Sequence, residues 1–411
     1  MNVMQDKRII LGITGSIAAY KAAELASRLT QMGALVDVIF TPAAENFVTP
    51  LTLQSVTGRR AFTEADLWGG EAHVLHIGLA RSADLLVIAP CTANTLARLA
   101  HGEADNLLTI TALAAQCPLL LGPAMDGGML EHPATQENLA KLKERGAYIA
   151  GPAEGHLASG LTGKGRLLEP VELLGHIRLV LGRKGRLAAK KVVITAGGTQ
   201  EPLDPVRVLT NKSSGKQGYA LAQAAIDAGA DVTLISTPTA LTPPVGVRVV
   251  SAQTAKQMLE AVLDESANAD ALIMAAAVAD FRSKQTAENK LKKRDGIPQI
   301  ELEATDDILE AVSRRKSGKH TPGSAEMKRP CVTVGFAAES HDLLTNAVEK
   351  LKSKKLDLIA ANDISSKDAG FGTDTNRVVL LYPDGKQEPL ALMTKSQVAD
   401  IIMERVAILL D

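Results

Sequence analysis

The chain has 411 residues, 46% of them hydrophobic and only 3% aromatic, and a net charge of −1. Its length predicts two domains, the scarcity of aromatics argues against a base-stacking platform for single-stranded nucleic acid, and the balanced charge argues against a basic field for nucleic acid or anionic membrane. Cys91, Cys117 and Cys331 are too few and scattered for a disulfide framework or a Cys-rich zinc site, no apolar run is long enough to span a bilayer, and the N-terminus has no secretory apolar region, so a reducing, cytoplasmic setting is expected.

The run Arg8–Ser16 (RIILGITGS) reads as a buried strand entering a glycine turn and then a helix. It lacks the G-x-G-x-x-G of dinucleotide folds, so Gly15, Ser16 and the following helix suit one phosphate, as in a mononucleotide, better than two. Further strands are expected at Leu35–Phe40, Leu85–Ala89 and Pro118–Leu121, each followed by a helical pattern, which implies parallel order. The segment Ala89–Asn94 (APCTAN) sits at the C-terminal end of a buried strand, where open α/β sheets bind ligands. His73 and His76 stand three apart with no carboxylate or cysteine cluster nearby, which argues against a metal site. A basic, unpatterned stretch at 183–190 reads as a linker between a domain at 1–182 and one at 191–411.

The second domain opens with Lys191–Gly198 (KVVITAGG) and continues to Ser213-Ser214-Gly215-Lys216 ahead of an Ala-rich helix. Glycines that admit backbone amides, hydroxyls, a lysine and a helix N-terminus make phosphate-binding architecture, though the order is not that of a P-loop. Strands are expected at Val232–Ile235, Ala271–Ala275, Val332–Phe336 and Leu356–Ala360, then a hairpin turning at Pro383–Lys386 and a helix over Ser396–Leu410. The polar stretch Arg314–Arg329 reads as a surface loop.

The span Lys191–Ala220, with EPLDPVR and NKSSGKQG, resembles the phosphopantothenate–cysteine ligase domain of coenzyme A biosynthesis. GITGSIAAYK, HIGLA, PCTAN, PAMDGGM and GHLASGLTGKGR together resemble the FMN-dependent phosphopantothenoylcysteine decarboxylase family. The order, decarboxylase then ligase, matches bacterial bifunctional flavoproteins of that pathway. The resemblance implies two tandem Rossmann-like α/β domains, a flavodoxin-like FMN domain and a nucleotide-binding ligase domain. It implies that FMN oxidises the substrate's cysteinyl moiety, that carbon dioxide leaves readily from the thioaldehyde, and that the hydride is then returned.

By the same resemblance His76 is the catalytic base, Gly15, Ser16, Ile17, Thr41, Thr92 and Asn94 hold FMN, and Ala124, Asp126, Met129 and Arg166 meet the substrate. Two positions depart from the family pattern, which has Asn at Asp126 and a reactive Cys at Ser159. An ionised Asp126 would repel the substrate carboxylate, so it is expected to be protonated there or turned toward another group. A serine is a far weaker acid than cysteine, which puts the catalytic proton donation by Ser159 in question.

In the ligase domain the resemblance gives Asn211 a role on an acyl-nucleotide intermediate and places Ala276, Asp280, Lys290, Asp306, Asp307, Phe336, Lys350 and Lys354 on CTP, with Asp280 on Mg²⁺. The run Ala304–Ile308 departs from the family's usual Asn-Pro-Asp-Ile form. A homo-oligomer built from decarboxylase trimers and ligase dimers is implied. Two other readings stay open from sequence: a flavoprotein cysteine decarboxylase that releases an enethiol, and a non-catalytic FMN-binding scaffold.

Overall fold

The computed structural model describes residues 2–68, 74–293, 296–315, 330–339, 342–363 and 372–411. It divides into two units, Asn2–Gly182 and Arg183–Asp411. His73 and all but the first two residues of the polar stretch Arg314–Arg329 lie outside the described residues.

In the first unit, β1 (Arg8–Ile13), β2 (Leu35–Phe40), β3 (Ala61–Phe62), β4 (Leu85–Cys91), β5 (Leu119–Pro123) and β6 (Tyr148–Ile149) form one sheet in the order β3-β2-β1-β4-β5-β6. Every pair is parallel. Strands buried on both faces need no polar side, which is why they read as continuous apolar runs. Ile9, Leu11 and Ile13 join one core with Leu25 and Leu29 of the helix Tyr20–Gln31. Ile10 faces the opposite core, with Leu96, Leu107 and Leu108. The order is that of the Rossmann fold, whereas flavodoxins run 2-1-3-4-5. A hairpin follows, β7 (Ala153–His156) with β8 (Thr162–Arg166). Its glycine-rich sequence carries little strand propensity, so no strand was expected there.

The second unit holds β9 (Lys191–Ala196), β10 (Gln200–Pro202), β11 (Val208–Thr210), β12 (Asp231–Ser236), β13 (Arg248–Ser251), β14 (Ala271–Met274), β15 (Phe281–Ser283), β16 (Leu302–Ala304), β17 (Val332–Glu339), β18 (Leu358–Asp363), β19 (Thr375–Asn376), β20 (Val378–Leu381), β21 (Gln387–Pro389) and β22 (Met393–Thr394). Eight of these form a sheet ordered β13-β12-β9-β14-β17-β18-β20-β21. It is parallel up to β18 and antiparallel beyond, and the expected hairpin is β20–β21, with Leu381 opposite Gln387. One core under this sheet gathers Ile235, Met258, Leu272, Leu351 and Ile359.

Residues 183–190 belong to this unit and are not a free linker. Leu187 is fully buried, its N–H donates to the Ala228 carbonyl at 2.8 Å, and Arg186 bonds Asp411 at 2.6 Å. Two ribbons, β10–β11 and β15–β16, stand outside the main sheet and expose Val208, Leu209, Phe281 and Leu302.

Candidate active sites

An open α/β sheet binds ligands beyond the carboxyl ends of its strands, where the strand order reverses. In the first unit that point lies between β1 and β4. A cavity of about 1120 Å³ opens there. Gly15, Ser16 and Ile17 enter it after β1, Thr41 after β2, Thr92 and Asn94 after β4, and Ala124, Asp126 and Met129 after β5; Ser159 and Arg166 come from the hairpin.

Buried Thr14 ties the two strand ends together. Its hydroxyl donates to the Pro90 carbonyl at 2.8 Å and accepts from the Thr92 N–H at 3.1 Å. Ser16 caps the short helical turn Ile17–Ala19 by accepting from the Ala18 N–H at 3.2 Å, and Thr92 caps the helix Ala93–His101. Two helix starts, with their outward N–H groups, therefore face one cavity, which suits an anionic group. A Cβ on Gly15 would lie 2.5 Å from the Ala43 Cβ, so this wall closes only around a glycine. These features fit a mononucleotide phosphate.

Asp126 and Ser159 bond each other. The Ser159 hydroxyl donates to Asp126 Oδ2 at 2.7 Å, and the Gly128 N–H donates to Oδ1 at 3.0 Å. The Ser159 bond foremost, with the Gly128 N–H behind it, holds the Asp126 carboxyl below the usual aspartate value. The carboxylate is thus turned toward Ser159 and the Gly128 N–H in this structure.

His76 does not line this cavity. Its helix, Leu75–Ser82, is pinned by Leu79 into the core on the other face of the sheet, so the chain's own fold carries the imidazole elsewhere. Conversely, Lys21 lines the cavity and was not singled out from sequence. It is 6% exposed, donating to the Leu167 carbonyl at 3.1 Å and to Glu169 at 2.9 Å. A lysine on a helix reads as a solvated residue; only its place at the end of GITGSIAAYK marked it. Glu169 also bonds Arg166. The bond from Lys21, reinforced by the Lys21 and Arg166 charges, holds the Glu169 carboxyl low.

In the second unit the order reverses between β9 and β14, and a cavity of about 680 Å³ lies there. Asn211, Ala276, Asp280, Asp306, Asp307, Phe336 and Lys350 all line it, as do Ser213 to Lys216. The glycine turn that precedes them supports this wall from behind. Gly197 has φ +88, and a Cβ there would meet the Thr237 hydroxyl at 2.0 Å. Ala277 donates to the Gly197 carbonyl at 2.8 Å and Ala279 to the Thr199 hydroxyl at 2.8 Å. Asn211 spans the same turn, its amide donating to Ala277 and Val278 at 3.3 and 3.1 Å. Lys350 donates to the Phe336 carbonyl at 2.9 Å.

Two expected nucleotide contacts are placed differently. Lys354 does not line the cavity; it bonds Asp307 at 3.0 Å and Glu310 at 3.4 Å, and Asp307, which also caps the following helix, foremost raises its pKa. Burial works to push the Asp307 carboxyl up, but the Glu310 N–H and Lys354 outweigh it and hold it low. Lys290 is exposed on the span between β15 and β16 and also lies off the cavity wall. Among the described residues no three His, Cys, Asp or Glu side chains form a metal-holding cluster. A Mg²⁺ that brings its own waters and phosphate oxygens needs only one or two carboxylates, and Asp280, Asp306 and Asp307 line this cavity.

A family model described as the C-terminal domain of DNA/pantothenate metabolism flavoproteins matches residues 187–409, and one described as flavoprotein matches residues 2–181. The coenzyme A biosynthesis bifunctional protein CoaBC of Vibrio vulnificus strain YJ016 is 43% identical over 412 residues, 100% of both chains. The chain belongs to this bifunctional family. Its Bacillus subtilis strain 168 relative is 42% identical, covering 99% of this chain and 98% of that one. Among solved structures, the C-terminal domain of a CoaBC protein shares 37% identity with a TM-score of 0.45, over 55% of this chain and 98% of that one. A cysteine-to-serine variant of PPC decarboxylase, complexed with pantothenoylaminoethenethiol, shares 35% identity with a TM-score of 0.40, over 43% of this chain and 98% of that one. As a family member the chain is a flavoprotein and a two-activity enzyme of coenzyme A biosynthesis, a decarboxylase and a ligase.

Proposed function

We propose that the unit at 191–411, preceded by 183–190, joins 4'-phosphopantothenate to cysteine with CTP and Mg²⁺, and that the unit at 1–182 decarboxylates the product to 4'-phosphopantetheine with FMN. The observation that carries this reading is the meeting, at each sheet's switch point, of motif residues far apart in sequence. In the ligase step the substrate carboxylate attacks the α-phosphorus of CTP and expels pyrophosphate. The amine of cysteine then attacks the acyl carbon, CMP leaves, and an amide remains. Asp280 would hold Mg²⁺, which would supply positive charge to the reacting phosphates, with Asp306 and Asp307 beside it, Lys350 would add positive charge beside Phe336 and Ala276, and Asn211 would orient the acyl-cytidylate.

In the other unit, bound FMN supplies the redox chemistry that makes the carboxylate a good leaving group. Gly15, Ser16 and Ile17 would hold its phosphate, with Thr41, Thr92 and Asn94 lining the same cavity. Ala124, Met129 and Arg166 position the substrate, and Ser159 turns its hydroxyl onto Asp126 and fixes the hairpin tip over the cavity.

His76 and Lys290 act in this reading from a second copy of the chain, His76 as the base and Lys290 on the nucleotide. In support, neither reaches the cavity of its own chain. The ribbons flanking Lys290 also expose Val208, Leu209, Phe281 and Leu302, apolar side chains suited to a homodimer contact. Decarboxylase trimers and ligase dimers together would close a larger homo-oligomer. Among the described residues no helix is long and apolar enough to cross a membrane, and water-soluble substrates suit a cytoplasmic enzyme.

Mass spectrometry of products from the purified chain with phosphopantothenate, cysteine, CTP and Mg²⁺ tests the whole reading. Phosphopantetheine supports both halves. Phosphopantothenoylcysteine accumulating unchanged sinks the decarboxylase half, an enethiol two mass units lighter than phosphopantetheine favours the enethiol-releasing alternative, and no coupled product at all sinks the ligase half.

A further inference from the structure

Lys21 stands where a lysine is out of place. It is the second residue of the helix Tyr20–Gln31, and the partial positive charge of a helix N-terminus disfavours a cation. It is also only 6% exposed, and burial disfavours an ammonium. A buried ion pair adds little stability over apolar side chains of the same volume, so stability does not account for the residue. Its ammonium donates to the Leu167 carbonyl at 3.1 Å and to Glu169 Oε1 at 2.9 Å, and it lines the decarboxylase cavity.

What Lys21 grips is the arm that carries Arg166. That arm is the strand Thr162–Arg166, TGKGR, whose glycines bring no side chains to pack. The Arg166 side chain runs over Gly155 of the facing strand, where an added Cβ would meet its Nη1 at 3.2 Å and its Cδ at 3.4 Å. Its guanidinium bonds Glu169 Oε1, the same oxygen that accepts from Lys21. One carboxylate oxygen therefore joins a buried lysine to a cavity-lining arginine that is 45% exposed. The Glu169 backbone is held too, its N–H donating to Glu172 at 2.9 Å. Because the Lys21 bond foremost keeps the Glu169 carboxyl low, both of its bonds are charge-assisted. An exposed arginine is costly to order; with one nitrogen on Glu169, the rest of its five-donor planar fork keeps a fixed direction.

We propose that Glu169, anchored by the buried Lys21, is a positioning residue that aims the Arg166 guanidinium at an anionic group of the decarboxylase substrate. The proposal rests on the decarboxylase reading above. That substrate has two such groups, the cysteinyl carboxylate and the phosphate monoester, and each presents the oxygens that a guanidinium fork recognises. Holding Arg166 in place before the substrate arrives spares the cost of ordering it on binding. Loss of Glu169 therefore shows in substrate affinity, and so in KM more than in kcat.

The test uses the full chain loaded with FMN, with Glu169→Ala, Glu169→Gln and Arg166→Met as variants. Glu169→Ala raises KM for phosphopantothenoylcysteine about 10-fold, the effect of one charge-assisted contact, while kcat and FMN affinity stay near the wild type's. Glu169→Gln keeps an Oε1 for both donors and recovers most of the loss. In Arg166→Met chains Glu169→Ala adds no further rise, because it acts through the arginine; a role confined to holding the fold would add its loss in both backgrounds. Lys21→Met raises KM in the same way, and where that buried substitution unfolds the chain, the variants of the 44% exposed Glu169 side chain decide. Calorimetric titration of phosphopantetheine, which has the phosphate but no carboxylate, separates the two anionic groups. Weaker binding to Glu169→Ala assigns the phosphate, and unchanged binding with a raised KM assigns the carboxylate. An unchanged KM in Glu169→Ala or in folded Lys21→Met, or equal losses with and without Arg166, overturns the proposal. A wild-type chain that releases no carbon dioxide would instead sink the decarboxylase reading, and titration of the unconsumed phosphopantothenoylcysteine would still judge Glu169.

Discussion

Gly15→Ala should cost the decarboxylase unit its flavin while sparing its fold. The added Cβ would stand 2.5 Å from the Ala43 Cβ and 3.2 Å from the Ala43 carbonyl carbon and oxygen. Carbon atoms rest at about 3.5 to 4.0 Å, so the loop after β1 must retreat by about 1 Å from the loop after β2. Overpacking of this kind costs about 1 to 3 kcal/mol. The core strands need not move, because Leu11 and Ile13 lie in the sheet behind the loop; the displacement falls on Ser16 and on Thr41, both on the cavity wall. Converted to affinity at 1.4 kcal/mol per decade, FMN binding weakens about 5- to 150-fold. Quenching of flavin fluorescence on titrating deflavinated protein gives the constant, and thermal unfolding of the same apoprotein checks the fold. A dissociation constant within twofold of the wild type's would refute the idea that this wall is built to the width of a glycine.

Asn211→Asp keeps the shape of the side chain but replaces the amide that donates to Ala277 and Val278; ligation falls at least 100-fold while decarboxylation of supplied phosphopantothenoylcysteine continues, as product analysis would register. His76→Asn abolishes decarboxylation, and mixing it with Gly15→Ala chains, at an FMN concentration too low to fill the latter, restores part of the rate after subunit exchange, because one cavity then draws its base and its flavin loop from different copies. No recovery would mean that each chain completes its own site. Glu388 accepts from Arg405 at 2.6 and 3.0 Å and from the Tyr382 hydroxyl at 2.8 Å, and the Arg405 bond foremost holds its carboxyl below the usual glutamate value. A depressed folded value means stability present above the unfolded pKa, about 4.3, and lost as pH falls through the folded one. Glu388→Gln should therefore cost about 2 kcal/mol at pH 7 in urea titrations, and the deficit should shrink toward pH 3.

Strand positions and the sites' chain segments were legible in the sequence because apolar runs and glycine turns are local signals. Leu35–Phe40 reads as β2 from its composition alone, and Gly15, Thr92 and Ala124 mark the ends of three parallel strands, which any doubly wound sheet brings to one edge. The hairpin of Ala153–Arg166 was not legible as strands, since its pairing depends on docking beside Met125 and not on side-chain propensity; the Met125 N–H donates to the Gly165 carbonyl at 2.9 Å. Lys21 was missed for a different reason. A lysine is read as solvated unless the tertiary fold buries it, and burial by a partner distant in sequence, Glu169 for Lys21, leaves no local trace.

Asp126 and Ser159, the two positions where the resemblance implies asparagine and cysteine, explain each other in physical terms. Aspartate in place of asparagine adds an acceptor and a charge beside a site meant for a carboxylate substrate, an unfavourable change taken alone. A thiol opposite it would be a weak donor, whereas a hydroxyl donates well. With serine at 159 the new carboxylate is satisfied at 2.7 Å and turned along the hairpin tip, and the Gly128 N–H at the following helix start takes its other oxygen. The pair thus keeps one hydrogen-bonded closure over the cavity while exchanging its chemistry. Serine's proton is committed to Asp126 in that arrangement, so in the proposed reaction the proton needed after decarboxylation would come from the substrate thiol, from solvent or from another residue, and Asp126 and Ser159 would act as one positioning unit.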